Sequence, residues 1–77
     1  MITAQLTLYP LRTEHLDPAV DAALAAVRDT GLSVEAGRMS TTLTGSDEAV
    51  FTALRAAFQA AARHGEVVLV ATVSNAC

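Results

Sequence analysis

The sequence predicts an α+β fold in which two helices cover one face of a four-stranded antiparallel sheet. Apolar and polar residues alternate in a segment at the start of the chain and on either side of a central turn, which is the period of a half-buried strand. A last segment is apolar on both faces through Val70. Two further segments repeat apolar residues at helical spacing, each between a capping residue and a glycine. The order is βαββαβ, and a hairpin between two crossover helices is typical of the ferredoxin-like arrangement.

The first strand is predicted over residues 2–9, which alternate without interruption. Pro10 ends it, because proline has no N–H to donate to a neighbouring strand. Asp17-Pro18 predicts the start of the first helix, with the aspartate as N-cap and the proline in the first helical position. The apolar residues that follow at helical spacing are Val20, Leu24 and Val27. Gly31 then offers the left-handed conformation that commonly ends a helix.

The middle of the chain predicts a hairpin, with strands over residues 32–36 and 39–43 joined at Gly37-Arg38. Ser46 predicts the N-cap of the second helix, since two acidic residues follow it in the first turn. The apolar stripe of that helix is expected to contain Val50, Leu54, Ala57, Phe58 and Ala61. The last strand is predicted over residues 67–75.

Composition bounds the class of protein. We expect one domain over residues 1–77, and 52% hydrophobic against 17% charged residues excludes a disordered chain. A net charge of -3 with no lysine lacks the basic surface that nucleic acids require. No apolar run approaches the roughly 20 residues that span a bilayer, and no signal-peptide pattern is present. The sequence therefore predicts a cytoplasmic domain without nucleic-acid binding or membrane insertion.

One face of the predicted sheet is polar but uncharged. Glu35 is the only charged residue in the four predicted strands. The face turned away from the helices would carry Thr3, Gln5, Thr7, Tyr9, Ser40, Thr42, Thr44, Val68 and Val70. Solvent-facing sheets usually carry charges that prevent association, so this face indicates burial between copies or a hydrogen-bonding site for a small ligand. An exposed, threonine-rich sheet is the alternative. We expect a homodimer or a tetramer.

Catalytic chemistry has little support in the sequence. The single cysteine, Cys77, can form neither an internal disulfide nor a paired metal site. His15 and His64 have no carboxylate or nucleophile at a recognisable spacing, and a structural cap at the end of the second helix is the favoured interpretation of His64. We therefore expect no catalytic residues, no metal, no cofactor and no enzymatic activity.

Three segments carry a resemblance to a known family. They are residues 4–11 (AQLTLYPL), residues 37–41 (GRMST) with Gly45, and residues 71–77 (ATVSNAC). In order and spacing, they resemble the YKOF-related thiamine/hydroxymethylpyrimidine-binding family. The resemblance implies a ferredoxin-like domain that binds thiamine or its pyrimidine half without catalysis, in vitamin salvage or alongside thiamine-type transporter components. The best-known relatives resemble two such domains in tandem, a pairing that a homodimer would recreate.

A ligand of that kind implies a set of binding residues. An aminopyrimidine needs both donors and acceptors, and hydroxyl and amide side chains supply them. A thiazolium cation would be favoured beside an aromatic face or a carboxylate. The expected ligand-binding residues are Ser40, Thr41, Gln5, Tyr9, Glu35 and Asn75. Two alternatives stay open: an ACT-like regulatory sensor of another metabolite, and a small dimeric α+β barrel enzyme with His15 or His64 inside a cavity.

Overall fold

A computed structural model describes residues 1–13, 17–37 and 40–76 of the chain. Its elements in order are β1 (Ile2–Pro10), α1 (Asp17–Arg28), β2 (Ser33–Ala36), β3 (Thr41–Gly45), α2 (Asp47–Ala62) and β4 (Val67–Ser74). The four strands form one antiparallel sheet in the order β2-β3-β1-β4. The predicted βαββαβ ferredoxin-like fold is confirmed. Of the residues singled out in the sequence, those outside the described part are His15, Arg38, Met39 and Cys77.

The sheet is organised around β1. This strand pairs with β3 through its first half and with β4 along nearly its whole length, so β2 and β4 are the edges. The even-numbered residues Ile2, Ala4 and Leu6 are buried beneath the helices. Because side chains alternate along a strand, the odd-numbered residues of β1 lie on the opposite face, which we call the open face.

Local signals in the sequence set the ends of the helices. Ser46 has extended backbone angles, and its Oγ accepts a hydrogen bond from the Ala49 N–H at 3.2 Å, which confirms it as the N-cap of α2. Gly31 follows α1 with a φ of 76° and Gly65 follows α2 with a φ of 131°. Both values lie where a side chain is unfavourable, so these glycines end the helices as expected. Neither helix is long and apolar enough, over the part of the chain that is described, to cross a membrane.

The helices rest on small side chains. The buried hydrophobic residues are Ile2, Ala4, Leu6, Ala19, Ala23, Val27, Leu43, Val50, Ala53, Ala57 and Ala61. Every buried helical residue other than Val27 and Val50 is therefore an alanine. Alanine lets a helix lie close to the sheet, and it also fills little of the space between them.

The predicted stripe of α2 is wrong at one position. Phe58 was expected in the core, but it is 46% exposed, and Ala53 lies in the core instead. Consecutive helical residues point about 100° apart. With Ala57 at the centre of the buried face, Phe58 is turned to the side of the helix. In α1 the same effect leaves Val20 and Leu24 half-buried.

Candidate ligand-binding site

A cavity of about 160 Å³ lies between α1 and the adjoining ends of β1, β2 and β3. Its wall is mostly apolar, with Leu6 and Leu8 from β1 and Val20, Leu24 and Val27 from α1. None of the described residues that line it carries an ionisable side chain. The cavity is therefore suited to a small uncharged group that needs only a few hydrogen bonds.

Small residues explain why the space remains open. Ala23 on α1 and Ala36 and Gly37 on β2 and the turn after it also line the cavity, and none of them reaches far into it. The Gly37 N–H donates to the Ser40 carbonyl oxygen over 2.8 Å. A Cβ at Gly37 would lie 3.0 Å from that oxygen, so glycine suits this tight closure of the hairpin. The closed hairpin holds Ser40 at the cavity wall.

Thr41 brings a hydroxyl to this wall. It is the first residue of β3 and lies opposite Leu6, which places it on the helix-facing side of the sheet. Only 8% of it is exposed, and it is the sole buried polar residue in the described part of the chain. Its hydroxyl makes no hydrogen bond to another described residue. No fully enclosed polar side-chain atom there lacks a partner, so the hydroxyl remains accessible from the cavity as donor and acceptor.

Three other predicted residues lie on the open face. Gln5 is exposed between Thr42 of β3 and Thr72 of β4, and Glu35 of β2 lies opposite the same Thr42. Tyr9 is half-exposed nearer the far end of β1. Directly opposed residues share a face of a sheet, so Glu35, Thr42, Gln5 and Thr72 form one row across it. The sheet separates this row from the Thr41 side chain.

The six predicted residues therefore divide among three places. Ser40 and Thr41 meet at the cavity, whereas Gln5, Tyr9 and Glu35 lie on the open face. Ser40 was expected on that face, but it precedes β3 and lines the cavity instead. The sixth residue, Asn75, is exposed just after β4 and lies at the opposite end of the sheet, where β1 begins.

The apolar wall was not anticipated as a site. Val20, Leu24 and Leu8 carry the periodic signal of ordinary core residues, and nothing in that signal distinguishes a wall from a filled interior. The available indication was the run of small residues at Ala36-Gly37 and in α1. Small residues predict close packing as readily as empty space, so the sequence alone does not separate the two.

No described residue of the cavity wall is a histidine, a cysteine or an acidic residue. His64 is exposed beyond the end of α2, where its backbone N–H donates to the Ala61 carbonyl oxygen at 3.0 Å, and it is not part of the cavity wall. Among the described residues, no three His, Cys, Asp or Glu side chains are grouped as metal ligands. The described wall offers apolar surface and hydroxyl groups to a bound molecule.

Comparison with known proteins identifies a family and several solved structures that are similar to this chain. The YKOF-related family matches residues 1–77. The DUF77 domain structure from Bacillus cereus is 26% identical with a TM-score of 0.86, covering 95% of this chain and 73% of that one. The hypothetical protein MJ1052 of Methanocaldococcus jannascii is 20% identical with a TM-score of 0.88, covering 99% and 80% of the two chains.

A third solved structure carries a functional description. TM0486 of Thermotoga maritima, a candidate thiamine biosynthesis/salvage protein, is 19% identical with a TM-score of 0.84, covering 95% of this chain and 81% of its own. The comparison with curated proteins gives no significant match. The match over the full length of the sequence, with the same fold throughout, shows that this chain belongs to the YKOF-related family.

Proposed function

We propose that this protein binds a single heteroaromatic ring of the hydroxymethylpyrimidine type, free or as the pyrimidine half of thiamine, without converting it. The observation that carries the proposal is the Thr41 hydroxyl, which hydrogen-bonds to no other described residue and remains accessible at the wall of an apolar cavity. Such a hydroxyl can donate to and accept from a bound ligand.

The size of the cavity supports a one-ring ligand. Its volume of about 160 Å³ is close to that of an apolar protein cavity known to hold one benzene molecule. The leucine and valine side chains would contact the faces of such a ring, while Thr41 and Ser40 contact its polar edge. A hydroxyl can accept from an exocyclic amino group and donate to a ring nitrogen, which are the two groups that an aminopyrimidine presents.

Thiamine itself would extend beyond the cavity. Two linked rings exceed the enclosed volume, so the thiazolium would have to lie outside the cavity mouth. It would gain little there from the enclosed walls. Free hydroxymethylpyrimidine is therefore expected to bind at least as tightly as thiamine. Membership of the YKOF-related family and the thiamine-related description of the Thermotoga maritima protein support this ligand class.

A role in salvage follows from binding without conversion. A protein that holds the pyrimidine without reacting with it would buffer the compound in the cytoplasm or supply it to thiamine-type transporter components. The described cavity wall offers no ionisable side chain for acid–base catalysis, which supports a binding protein over an enzyme.

The test compares two adjacent threonines that lie on opposite faces of β3. Thr41→Val removes the cavity hydroxyl and keeps the shape of the side chain, so it should weaken hydroxymethylpyrimidine binding about tenfold in calorimetry. Thr42→Val makes the same change on the open face and should leave the affinity unchanged. Both variants should melt within a few degrees of wild type without ligand, because Thr41 loses no internal hydrogen bond.

Ligand selectivity is measured on the same proteins by thermal shift. At about one hundred times Kd, hydroxymethylpyrimidine should stabilise the fold by roughly 2.7 kcal/mol, which raises the melting temperature of a domain this small by more than about 10 °C. A thiazole alcohol should do far less. Equal shifts with both rings would contradict the proposal, and a shift with an amino acid alone would favour a regulatory sensor. Steady product formation would show that the protein is an enzyme.

A further inference from the structure

The cavity beneath α1 opens toward strand β2. Its deepest lining residues are Leu6, Ala23 and Val27, which are 5%, 4% and 1% exposed, and we call them the floor. Ala36 and Gly37 are the exposed residues among the described residues that line the cavity, and we call them the mouth. A bound molecule that is longer than the cavity would therefore emerge beside Ala36 and Gly37.

The backbone of Ala36 offers hydrogen-bonding groups at this mouth. The Gly37 N–H donates to the Ser40 carbonyl oxygen, which sets the phase of the ladder between β2 and β3. Residues of antiparallel strands bond to their neighbour alternately, so the N–H and C=O groups of Ala36, like those of Val34, point away from β3. Strand β2 is an edge of the described sheet. Ala36 therefore presents one donor and one acceptor outward, beside the cavity.

The proposed ligand has two different substituents beside its polar edge. In hydroxymethylpyrimidine, the amino group and the adjacent ring nitrogen lie between a methyl group and a hydroxymethyl group. With this polar edge at Thr41 and Ser40, one substituent points to the floor and the other to the mouth. The floor consists of apolar side chains, where a hydroxyl group would lose its hydrogen bonds to water. The methyl group therefore fits the floor, and the hydroxymethyl group fits the mouth.

We propose that the backbone N–H and C=O groups of Ala36 bind the hydroxymethyl group of the ligand and so determine which ring substituent the site prefers. A hydroxyl group can accept from the N–H and donate to the C=O. This inference rests on the proposed function, because it names a contact for the same ligand in the same cavity. Ala36 determines specificity through its main chain, while its small side chain keeps the mouth open.

The position of Ala36 in the sheet supports this role. Ala36 lies directly opposite Thr41, in a pair without mutual backbone hydrogen bonds, and such pairs bring their Cα atoms to about 4.5 Å. A single ring that contacts the Thr41 hydroxyl can therefore place a neighbouring substituent at Ala36. The adjacent charged residue, Glu35, lies opposite Thr42 on the open face, so the sheet separates its side chain from the cavity.

Two ligands and the wild-type protein provide the first test. In calorimetry, hydroxymethylpyrimidine should bind about fivefold more tightly than the analogue in which a methyl group replaces the hydroxymethyl group. In NMR spectra, hydroxymethylpyrimidine should shift the amide resonance of Ala36 and leave that of Val34 in place. Equal affinities, or an unmoved Ala36 resonance, would overturn this inference and leave the proposed function standing. If neither compound binds, the proposed function is wrong and this inference falls with it.

A pair of proline variants tests the backbone contact itself. Proline removes an N–H, and at an outward-facing position of an edge strand it leaves the ladder intact. Ala36→Pro should lose most of the fivefold preference for the hydroxymethyl group. Obstruction by the proline ring would instead weaken both compounds equally, so a preference retained in Ala36→Pro would contradict the inference. Val34→Pro removes the equivalent N–H away from the mouth and should keep the preference. If either variant fails to fold, the two wild-type measurements decide.

Discussion

The two helices cover the same sheet, yet α1 leaves space beneath it and α2 leaves aromatic side chains exposed. Helix α1 rests on Ala19 and Ala23, and a cavity of about 160 Å³ remains beneath it. Helix α2 packs Val50 and three alanines tightly into the core and carries its phenylalanines outside. One half of the molecule therefore has a partly open cavity beneath its helix, and the other has exposed apolar side chains.

The cavity and the exposed phenylalanines lie in different halves of this small domain. The partly open cavity beneath α1 lacks packing contacts at the place where it occurs, whereas exposed phenylalanines lower solubility. With these features in opposite halves, a change at the cavity need not disturb α2. The same substitution made in the two helices should consequently have different effects.

The largest difference in stability between the two helices is expected when a buried alanine is replaced by leucine. Ala53→Leu forces a leucine into a fully buried position and should lower the free energy of unfolding by about 3 kcal/mol. Ala23→Leu places the same side chain beside the cavity and should change it by less than about 1 kcal/mol, while abolishing hydroxymethylpyrimidine binding. Urea denaturation and calorimetry measure both quantities. Equal destabilisation of the two variants would show that the space beneath α1 does not accommodate the larger side chain.

The opposite change, from a larger to a smaller side chain, should show the same contrast between the helices with a smaller difference in the free energy of unfolding. Val50→Ala removes two methyl groups from a position with no exposure and should cost about 2 kcal/mol. Val20→Ala removes them from a half-buried position on the cavity wall, where fewer contacts are lost, and should cost about 1 kcal/mol or less. Thermal melts should show at least a twofold difference in the shift. If Val20→Ala costs more, the wall is better packed than its exposure indicates.

Removing the cap of α2 should weaken the tightly packed half alone. Ser46→Ala loses the hydrogen bond to the Ala49 N–H and should cost about 1 kcal/mol. Thr52→Ala, at an exposed position in the same helix, should be neutral or slightly stabilising because alanine favours helices. The thermal shift produced by hydroxymethylpyrimidine should be the same in both variants. A reduced shift in Ser46→Ala would mean that the halves are coupled.

The smallest effect is expected where β1 leads toward α1. Arg12 has a φ of 54°, an unfavourable value for a residue with a side chain, and forms an exposed ion pair with Glu66. Arg12→Ala should change stability by less than about 0.5 kcal/mol, because exposed ion pairs contribute little. Arg12→Gly relieves the backbone and should be up to about 1 kcal/mol more stable than Arg12→Ala. Chemical denaturation of the two variants side by side resolves this difference, and equal stability would indicate an unstrained turn.

Sequence patterns predicted the parts of the fold that depend on local chemistry. The alternation in β1, the Ser46 cap and the glycines after each helix determine structure within a few residues, and all are confirmed. Phe58 could not be placed in the same way, because apolar character alone does not say how wide the buried stripe of a helix is. Its exposure depends on how closely Ala53 and Ala57 bring α2 to the sheet.

The candidate site was harder to predict for the same reason. Thr41 and Ser40 were expected among the ligand-binding residues, and they are the two that the structure brings together at the cavity. Gln5, Tyr9 and Glu35 were grouped with them because all are polar and lie in or beside strands. The face on which each lies depends on register, however, and the cavity volume depends on the position of α1. Strand register and cavity volume both depend on how distant segments pack together, so a short segment of sequence does not determine them.

The central position of β1 has a consequence for synthesis. This strand is made first, yet its two neighbours, β3 and β4, emerge much later, and the sheet cannot be completed before β4 leaves the ribosome. Such distant pairings slow folding and prolong the time during which unpaired strands can aggregate. The valine-rich β4, the segment most prone to aggregate, is translated after the three strands that it joins. Its partner β1 is therefore already present when β4 becomes exposed.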